Sequence, residues 1–176
     1  MAKVILISGI KRSGSTWQYN AVRMVLEHWA KTYHTSDRYS KRKINRDYLV
    51  IKRHPFDKGH MHLANYVFTS SRDVEEVKAS LERLTGKKVR DNEMSMMQRS
   101  LSNWLQYTDF HMPYEMLLSD KAHVIERIAD VFGFEWNDED ISQVLRKVNS
   151  IMTPTDKRFD PVTMYFDNHI SKEVAT

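Results

Sequence analysis

The sequence predicts a three-layer α/β fold, in which helices flank a central parallel sheet. Short runs that are apolar throughout, such as Val4-Ile5-Leu6-Ile7, are typical of strands covered on both faces. These runs alternate with longer segments whose apolar residues recur at helical spacing. A glycine-spaced loop joins the first run directly to the first helical segment. Strand and helix therefore alternate as right-handed crossovers require, and ligands of such sheets bind beyond the carboxyl ends of the strands.

The first strand is predicted over residues 3–8 and the first helix over residues 16–31. The helix is apolar on more than one face, which indicates a central position in the fold. Its apolar residues are Trp17, Ala21, Val22, Met24, Val25 and Trp29. Residues 32–46 are polar and predict a connection, with or without a short helical piece.

Two further buried strands follow, Tyr48–Ile51 and Tyr66–Thr69. Pro55 keeps His54 out of helical geometry, so the chain turns there and the histidine lies at the carboxyl end of its strand. After the third strand, Asp73 and Glu76 form the pattern of a capping box. They predict a helix whose apolar stripe is Val74, Val77, Leu81 and Leu84.

The second half of the chain is predicted to be mainly helical. One amphipathic helix is marked by Met94, Met97, Leu101, Trp104 and Leu105; we interpret its methionines as core residues, with a pliable ligand surface as the alternative. A short strand-like piece at 110–114 precedes a helix that Gly133 ends. Asn137 caps a last helix, and residues 149–176 predict a surface tail. The whole chain, 1–176, is predicted to be one domain.

Composition narrows the class of protein. The 176 residues include no cysteine, which excludes disulfides and thiol chemistry. Lys and Arg number 27 against 23 Asp and Glu, and the resulting charge of +4 suits a small polyanionic ligand. We interpret the basic cluster from Arg38 to Arg46 as a solvated loop, and expect no nucleic-acid partner. No apolar run has the ~18 residues of a membrane span, and we expect a cytoplasmic protein.

The loop after the first strand has the spacing of a phosphate-binding loop: Gly9, four residues, then Gly14-Ser15-Thr16. Ser15 stands where nucleoside triphosphatases have lysine, and positive charge comes earlier, at Lys11 and Arg12. This exchange argues against a metal-dependent triphosphatase, so we predict no metal site. The alternative is an ordinary strand-to-helix turn in which Ser15 or Thr16 caps the helix.

Three predicted strands end in residues suited to anion chemistry. The first ends in the loop, the second in Lys52-Arg53-His54, and the third in Ser71-Arg72. Lys52 and His54 project to the same side of their segment because side chains alternate along a strand. These residues are expected to meet at one edge of the sheet.

Several motifs together resemble the sulfotransferases that use 3′-phosphoadenosine 5′-phosphosulfate (PAPS), a family with a P-loop-like fold. The segment Lys11-Arg12-Ser13-Gly14-Ser15-Thr16-Trp17 is similar to the family's 5′-phosphosulfate loop. Arg72, followed eight positions later by Ser80, is similar to its 3′-phosphate motif. Ile51–Pro55 resembles the segment that carries the catalytic histidine, and Tyr114-Glu115 a landmark near the adenosine.

The resemblance implies transfer of a sulfuryl group from PAPS to a hydroxyl or amine of a small-molecule or saccharide acceptor, leaving 3′-phosphoadenosine 5′-phosphate (PAP), without a metal. It implies His54 as base, with Arg12 and Lys52 as catalytic cations. The remaining loop residues, Arg72, Ser80 and Tyr114 would bind the cofactor. The family's C-terminal glycine-rich segment has no clear counterpart, although Asn168–Ser171 is the nearest candidate.

Two other readings of the site stay open. A P-loop nucleotide kinase would share the fold but should bind ATP with magnesium. A non-catalytic PAPS- or PAP-binding relative would keep Arg12, Arg72 and Ser80 without turnover. We expect the acceptor to meet residues 32–46, 55–65 and the tail. The aromatic residues of these segments either line a pocket or pack: Tyr33, Tyr39, Phe56, Phe159, Tyr165 and Phe166.

Overall fold

The computed structural model describes residues 2–30, 33–36 and 47–152. Its strands are β1 (Lys3–Gly9), β2 (Tyr33–Ser36), β3 (Tyr48–Lys52), β4 (Tyr66–Ser71) and β5 (Phe110–Pro113). They form one sheet in the order β2-β3-β1-β4-β5, and every neighbouring pair is parallel. The prediction of an α/β fold with a central parallel sheet is therefore confirmed.

The described part of the chain contains seven helices. They are α1 (Ser15–Trp29), α2 (Lys58–Met61), α3 (Val74–Thr85), α4 (Asp91–Leu105), α5 (Tyr114–Ser119), α6 (Lys121–Phe132) and α7 (Asp138–Met152).

The central strand β1 sends alternate side chains into two separate cores, as a strand buried on both faces must. Ile5 and Ile7 join a core built with α1, α6 and α7. Val4 and Leu6 pack on the opposite face with Trp104 of α4. Helices thus cover both faces of the sheet, which gives the predicted three layers.

A third apolar cluster lies at the carboxyl end of β1. Ile10 packs there with Val77 and Leu81 of α3, and with Val89 and Met94 at the start of α4. All five side chains are buried. This cluster holds α3 and α4 beside the glycine-spaced loop.

The predicted helix ends are mostly confirmed. Asp73 Oδ1 accepts hydrogen bonds from the Glu75 and Glu76 amides, both at 3.0 Å, at the start of α3. Asn137 Oδ1 caps α7 in the same way. Gly133 ends α6 at φ +70°. The predicted capping box at the start of α3 is only half formed, because the Glu76 carboxylate pairs with Arg72 at 2.7 Å.

Several predicted boundaries differ from the structure; α1, for example, ends at Trp29 rather than at residue 31. The polar connection at 32–46 contains β2, a four-residue strand at the edge of the sheet, where no continuous apolar run is needed. Tyr114 begins α5 rather than ending the strand-like piece at 110–114. Helix α7 continues through Met152, four residues into the range 149–176 predicted as a tail. The rest of that range and the basic cluster 38–46 lie outside the described residues.

The described residues contain neither a membrane-spanning helix nor a cluster of metal-ligating side chains. No helix among them is both long and apolar enough to cross a membrane. No group of three or more His, Asp or Glu residues within 2–30, 33–36 and 47–152 is placed to hold a metal ion.

Candidate functional site

The loop between β1 and α1 needs both of its glycines. Gly9 has φ +142°, and a Cβ there would collide with the backbone carbonyl of Ser70 in β4. Gly14 has φ +80°, and a Cβ there would lie 2.8 Å from Leu117 Cδ2. Between them Arg12 has a left-handed φ of 67°, which is uncommon for a residue with a side chain. The loop is therefore tightly seated on β4 and α5.

Side-chain hydrogen bonds fix the shape of the loop. Ser13 Oγ donates to the Ile10 carbonyl at 2.5 Å and lies 2.7 Å from Ser70 Oγ. Gln18 Nε2, one turn into α1, donates to the Thr69 carbonyl at 3.1 Å. Ser13, Ser70 and Gln18 are all buried. These contacts preorganise the loop against β4.

The N-terminus of α1 is suited to an anion. Gly14 is the N-cap, so neither Ser15 nor Thr16 caps the helix, and no side chain caps it in the described structure. The first turn also contains no acidic residue. The leading amides of a helix have no intrahelical partner, and the helix dipole places positive charge there. Backbone amides and dipole together make the binding site that phosphate groups use.

Lys52 brings a buried ammonium group to the loop. Its Nζ donates to Thr16 Oγ1 at 2.5 Å, which links the end of β3 to the first turn of α1. Burial, and then the positive charge of Arg12, lower the pKa of Lys52 from 10.5 to about 7. The ammonium is thus short of negative partners, as expected of a group that meets an anionic ligand.

Arg12 and Ser80, 68 residues apart, are joined by a hydrogen bond. Arg12 Nε donates to Ser80 Oγ at 2.9 Å, and Ser80 is buried. Burial lowers the pKa of Arg12; Tyr114 opposes this shift, while the charges of Arg72 and Arg83 add to it. Arg12 therefore lies in a positive field.

Arg72 completes this cluster from the end of β4. Its guanidinium lies 4.1 Å from the centre of the Tyr114 ring, and its side chain is only 8% exposed. Its Nε donates to Glu76 Oε2 at 2.7 Å. A stacked guanidinium at a strand end is well placed for paired hydrogen bonds to a phosphate.

His54 is oriented by contacts on both its ring and its backbone. Its Nδ1 donates to the Gly9 carbonyl at 2.8 Å, because a carbonyl oxygen only accepts. This tautomer leaves the basic lone pair of the imidazole on Nε2. The His54 carbonyl accepts from Ser100 Oγ at 3.0 Å and from Trp104 Nε1 at 3.3 Å.

The structure brings most of the predicted site residues together. Contacts or electrostatic interactions join Arg12 to Ser80, Arg72, Tyr114 and Lys52, and join Lys52 to Thr16. Ser13 and Gly14 form the loop, Ser15 begins α1, and His54 lies against Gly9. Two predicted site residues lie outside this cluster.

Lys11 and Trp17 are the residues that the cluster does not include. Lys11 is exposed. Hydrogen bonds with Arg90 lower the pKa of Glu93 in α4, burial opposes this shift, and the charge of Lys11 adds a smaller lowering. Trp17 is 5% exposed and packs in the core, where its buried indole nitrogen has no hydrogen-bond partner among the described residues.

Sequence reasoning missed Arg83. It lies close enough to Arg12 to influence its pKa, and follows Ser80 by three positions on α3. Residues three apart share one helix face, so this spacing was a usable signal. The site therefore combines Arg12, Lys52 and Arg72 with a helix end suited to an anion, and the charge of the exposed Arg83 adds to its positive field. This arrangement suits a ligand with more than one phosphate.

Comparisons with known proteins identify the fold. No protein-family model and no curated protein sequence matches the chain. Among solved structures, the chain is similar to mouse sulfotransferase SULT7A1 complexed with PAP, at TM-score 0.65 and 10% identity over 99% of this chain and 78% of that one. It is also similar to retinol dehydratase in a complex with retinol and PAP, at TM-score 0.54 and 16% identity.

A second structure of retinol dehydratase, with androsterone and the inactive cofactor PAP, gives TM-score 0.54 and 15% identity. The similarity to both retinol dehydratase structures covers 83% of this chain and 64% of theirs. At such low identities the similarity concerns the fold alone. The chain has a sulfotransferase-like fold, the P-loop-like fold that its sequence resembles.

Proposed function

We propose that this protein is a sulfotransferase that moves the sulfuryl group of PAPS to a hydroxyl or amine of an acceptor. The observation that carries the proposal is the convergence of Arg12, Lys52, Arg72 and Ser80 beside the uncapped start of α1. This cluster matches a nucleotide with separate 5′ and 3′ phosphates. The PAP-bound neighbours share its fold.

The residues fit PAPS at both of its charged ends. The loop amides from Gly14 to Thr16 and the ammonium of Lys52 would hold the 5′-phosphosulfate. Arg72 and Ser80 hold the 3′-phosphate, and Tyr114, already stacked on Arg72, lies next to the adenosine. Arg12 donates to Ser80 and is influenced by Arg72, so it connects the two ends.

Bound PAPS supplies the sulfuryl group: the acceptor atom forms a bond to sulfur, the bond from sulfur to the 5′-phosphate oxygen breaks, and PAP leaves. His54 Nε2 takes the acceptor's proton, since Nδ1 donates to Gly9. Lys52, Arg12 and the loop amides stabilise the negative charge that grows on the 5′-phosphate. These cations take the part that magnesium plays in phosphoryl transfer, so we propose that no metal is needed.

The test is transfer of labelled sulfuryl from PAPS to pools of alcohols, phenols, amines and sugars, with a chelator present. We expect label to move to at least one pool, and PAP to be released in equal amount. Tight PAP binding without transfer to any pool would instead indicate the non-catalytic relative.

A further inference from the structure

A cavity of about 690 Å³ opens beside the proposed reaction centre. At one end it is lined by Gly9, His54 and Ser100. His54 is the proposed base, and Ser100 holds its carbonyl. An acceptor bound in this cavity would present its reacting group at this end.

The walls of the cavity are apolar and come from α3 and α4. They are formed by Leu81, Val89, Met96 and Met97. Leu81 and Val89 are 8% exposed and belong to the packed cluster beneath the loop, whereas Met96 is 70% exposed. Met97 also packs against that cluster, as the core interpretation of the methionines predicts. These walls suit a hydrocarbon body rather than a sugar.

The opposite end of the cavity is basic. Lys87, Lys88 and Arg90 line it from the connection between α3 and α4. Arg90 pairs with Glu93, the cavity's carboxylate, at 2.7 Å. Within the described part of the chain, Lys87 and Lys88 form no ion pair. Both lysines are exposed, and the charge of Lys88 also acts on Asp91, whose carboxylate pairs with Lys78 at 2.7 Å. Two exposed ammonium groups therefore line this end of the apolar cavity.

Helix α4 gives the distance between the two ends. Ser100 lies ten positions after Arg90, which caps the helix. At the helical rise per residue this separation is about 15 Å. Lys11, exposed on the loop, lines the cavity as well.

We propose that the acceptor is a small amphiphile whose hydroxyl and single anionic group lie at opposite ends of an apolar body about 15 Å long. This inference rests on the proposed sulfuryl transfer. The hydroxyl lies at His54, the hydrocarbon body packs on Leu81, Val89 and the methionines, and the anion meets Lys87 and Lys88. Charge complementarity at this end contributes more to the choice of acceptor than to the strength of binding.

The test compares ω-hydroxydodecanoic acid with its methyl ester as acceptors, at saturating PAPS. We expect the acid to have a KM lower by about tenfold, equivalent to ~1.4 kcal/mol, and both to have similar kcat. The Lys87→Gln/Lys88→Gln double variant should remove this preference and leave the KM of the ester unchanged. The control is Lys58→Gln/Lys147→Gln, which changes two exposed lysines outside this cavity.

The length of the acceptor provides a second test of the proposal. ω-Hydroxybutyric acid cannot span the cavity, so its KM should not respond to Lys87→Gln/Lys88→Gln. Equal use of acid and ester by the wild-type protein, or preference for an acidic oligosaccharide, would overturn the inference and leave sulfuryl transfer standing.

Calorimetric titration of the acid and ester into the protein saturated with PAP separates the two proposals. Tighter binding of the acid without any turnover would contradict sulfuryl transfer but support the amphiphile site. Equal binding of acid and ester would overturn the amphiphile site whether or not turnover occurs.

Discussion

The lowered pKa of Lys52 has a consequence for the stability of the unliganded protein. Burial and Arg12 lower its pKa to about 7, while the unfolded chain keeps the usual 10.5. The unfolded state thus binds more protons between these values, and Lys52 makes the unliganded protein less stable as pH falls from 10.5 toward 7. A phosphate group beside the ammonium reverses the penalty by favouring its charged form.

Binding of PAP should therefore take up a proton at Lys52. At pH 8 we expect an uptake of about one proton that is absent at pH 5.5, where the ammonium is already charged. Calorimetry in buffers of different ionisation enthalpy measures it. Lys52→Met should remove the uptake at pH 8, and the control Lys11→Met should retain it. The same uptake in Lys52→Met would show that another group titrates.

His54 is predicted to act on turnover rather than on cofactor binding. His54→Ala should lower kcat by ~10²-fold or more, as the loss of a general base does, and change PAP affinity less than twofold. The exposed His123 provides the matched control, His123→Ala. Steady-state kinetics and PAP titration are the measurements. An unchanged kcat would remove His54 from the mechanism.

Arg72 is predicted to recognise the 3′-phosphate. Arg72→Ala should weaken PAP binding by about 10²-fold, the effect of losing charge-assisted hydrogen bonds worth 1.5–3 kcal/mol. Binding of adenosine 5′-monophosphate, which lacks that phosphate, should change little. Arg127→Ala, which removes an exposed ion pair with Asp130, is the control. Equal losses for both nucleotides would contradict the assignment.

At the scale of the element, the loop and the start of α1 form one preorganised unit. Its glycines fit against Ser70 of β4 and Leu117 of α5, and Ser13 ties it to Ser70. The sequence predicted the strand, the loop and the helix, because glycine spacing and apolar runs are local signals. It did not predict β2, whose Tyr33-His34-Thr35-Ser36 has no apolar run.

Gly14 should be the more sensitive of two left-handed glycines. At Gly133, φ is +70° and an added Cβ would meet no neighbour within 4 Å. Gly133→Ala should therefore lower the free energy of unfolding by about 1–2 kcal/mol, because of the left-handed conformation alone. Gly14→Ala adds the overlap with Leu117 and should lower the free energy of unfolding by about 2–5 kcal/mol, since overpacking adds about 1–3 kcal/mol.

Urea unfolding measures the loss of unfolding free energy for both substitutions. PAP titration shows whether each substitution also weakens ligand binding. Gly133→Ala should bind PAP as the wild type does, whereas Gly14→Ala should bind it weakly. Equal destabilisation by the two substitutions would show that the loop is not tightly seated.

At the scale of the whole molecule, the parallel sheet brings three strand ends together. The sequence predicted one shared edge for three features: the loop after β1, Lys52 and His54 at the end of β3, and Arg72 after β4. It could not predict the bonds from Arg12 to Ser80 and from Lys52 to Thr16, because they depend on how helices pack. The cavity between α3 and α4 was missed for the same reason.

The acceptor region illustrates the limit of local patterns. Of the loops expected to meet the acceptor, 55–65 contributes Pro55 to the cavity, while Phe56 packs against Trp104 and Tyr107. The walls of the proposed acceptor cavity come from α3 and α4. Side chains of 32–46 and the tail beyond 152 lie outside the described residues.

If this edge of the sheet binds a nucleotide with both 5′ and 3′ phosphates, calorimetric titration should detect that binding without a metal. With a chelator present, adenosine 3′,5′-bisphosphate should bind with a dissociation constant on the order of 1 μM, about −8 kcal/mol. ATP with magnesium should bind far more weakly. Tight binding of ATP with magnesium and weak binding of the bisphosphate would contradict the claim and indicate a phosphotransferase.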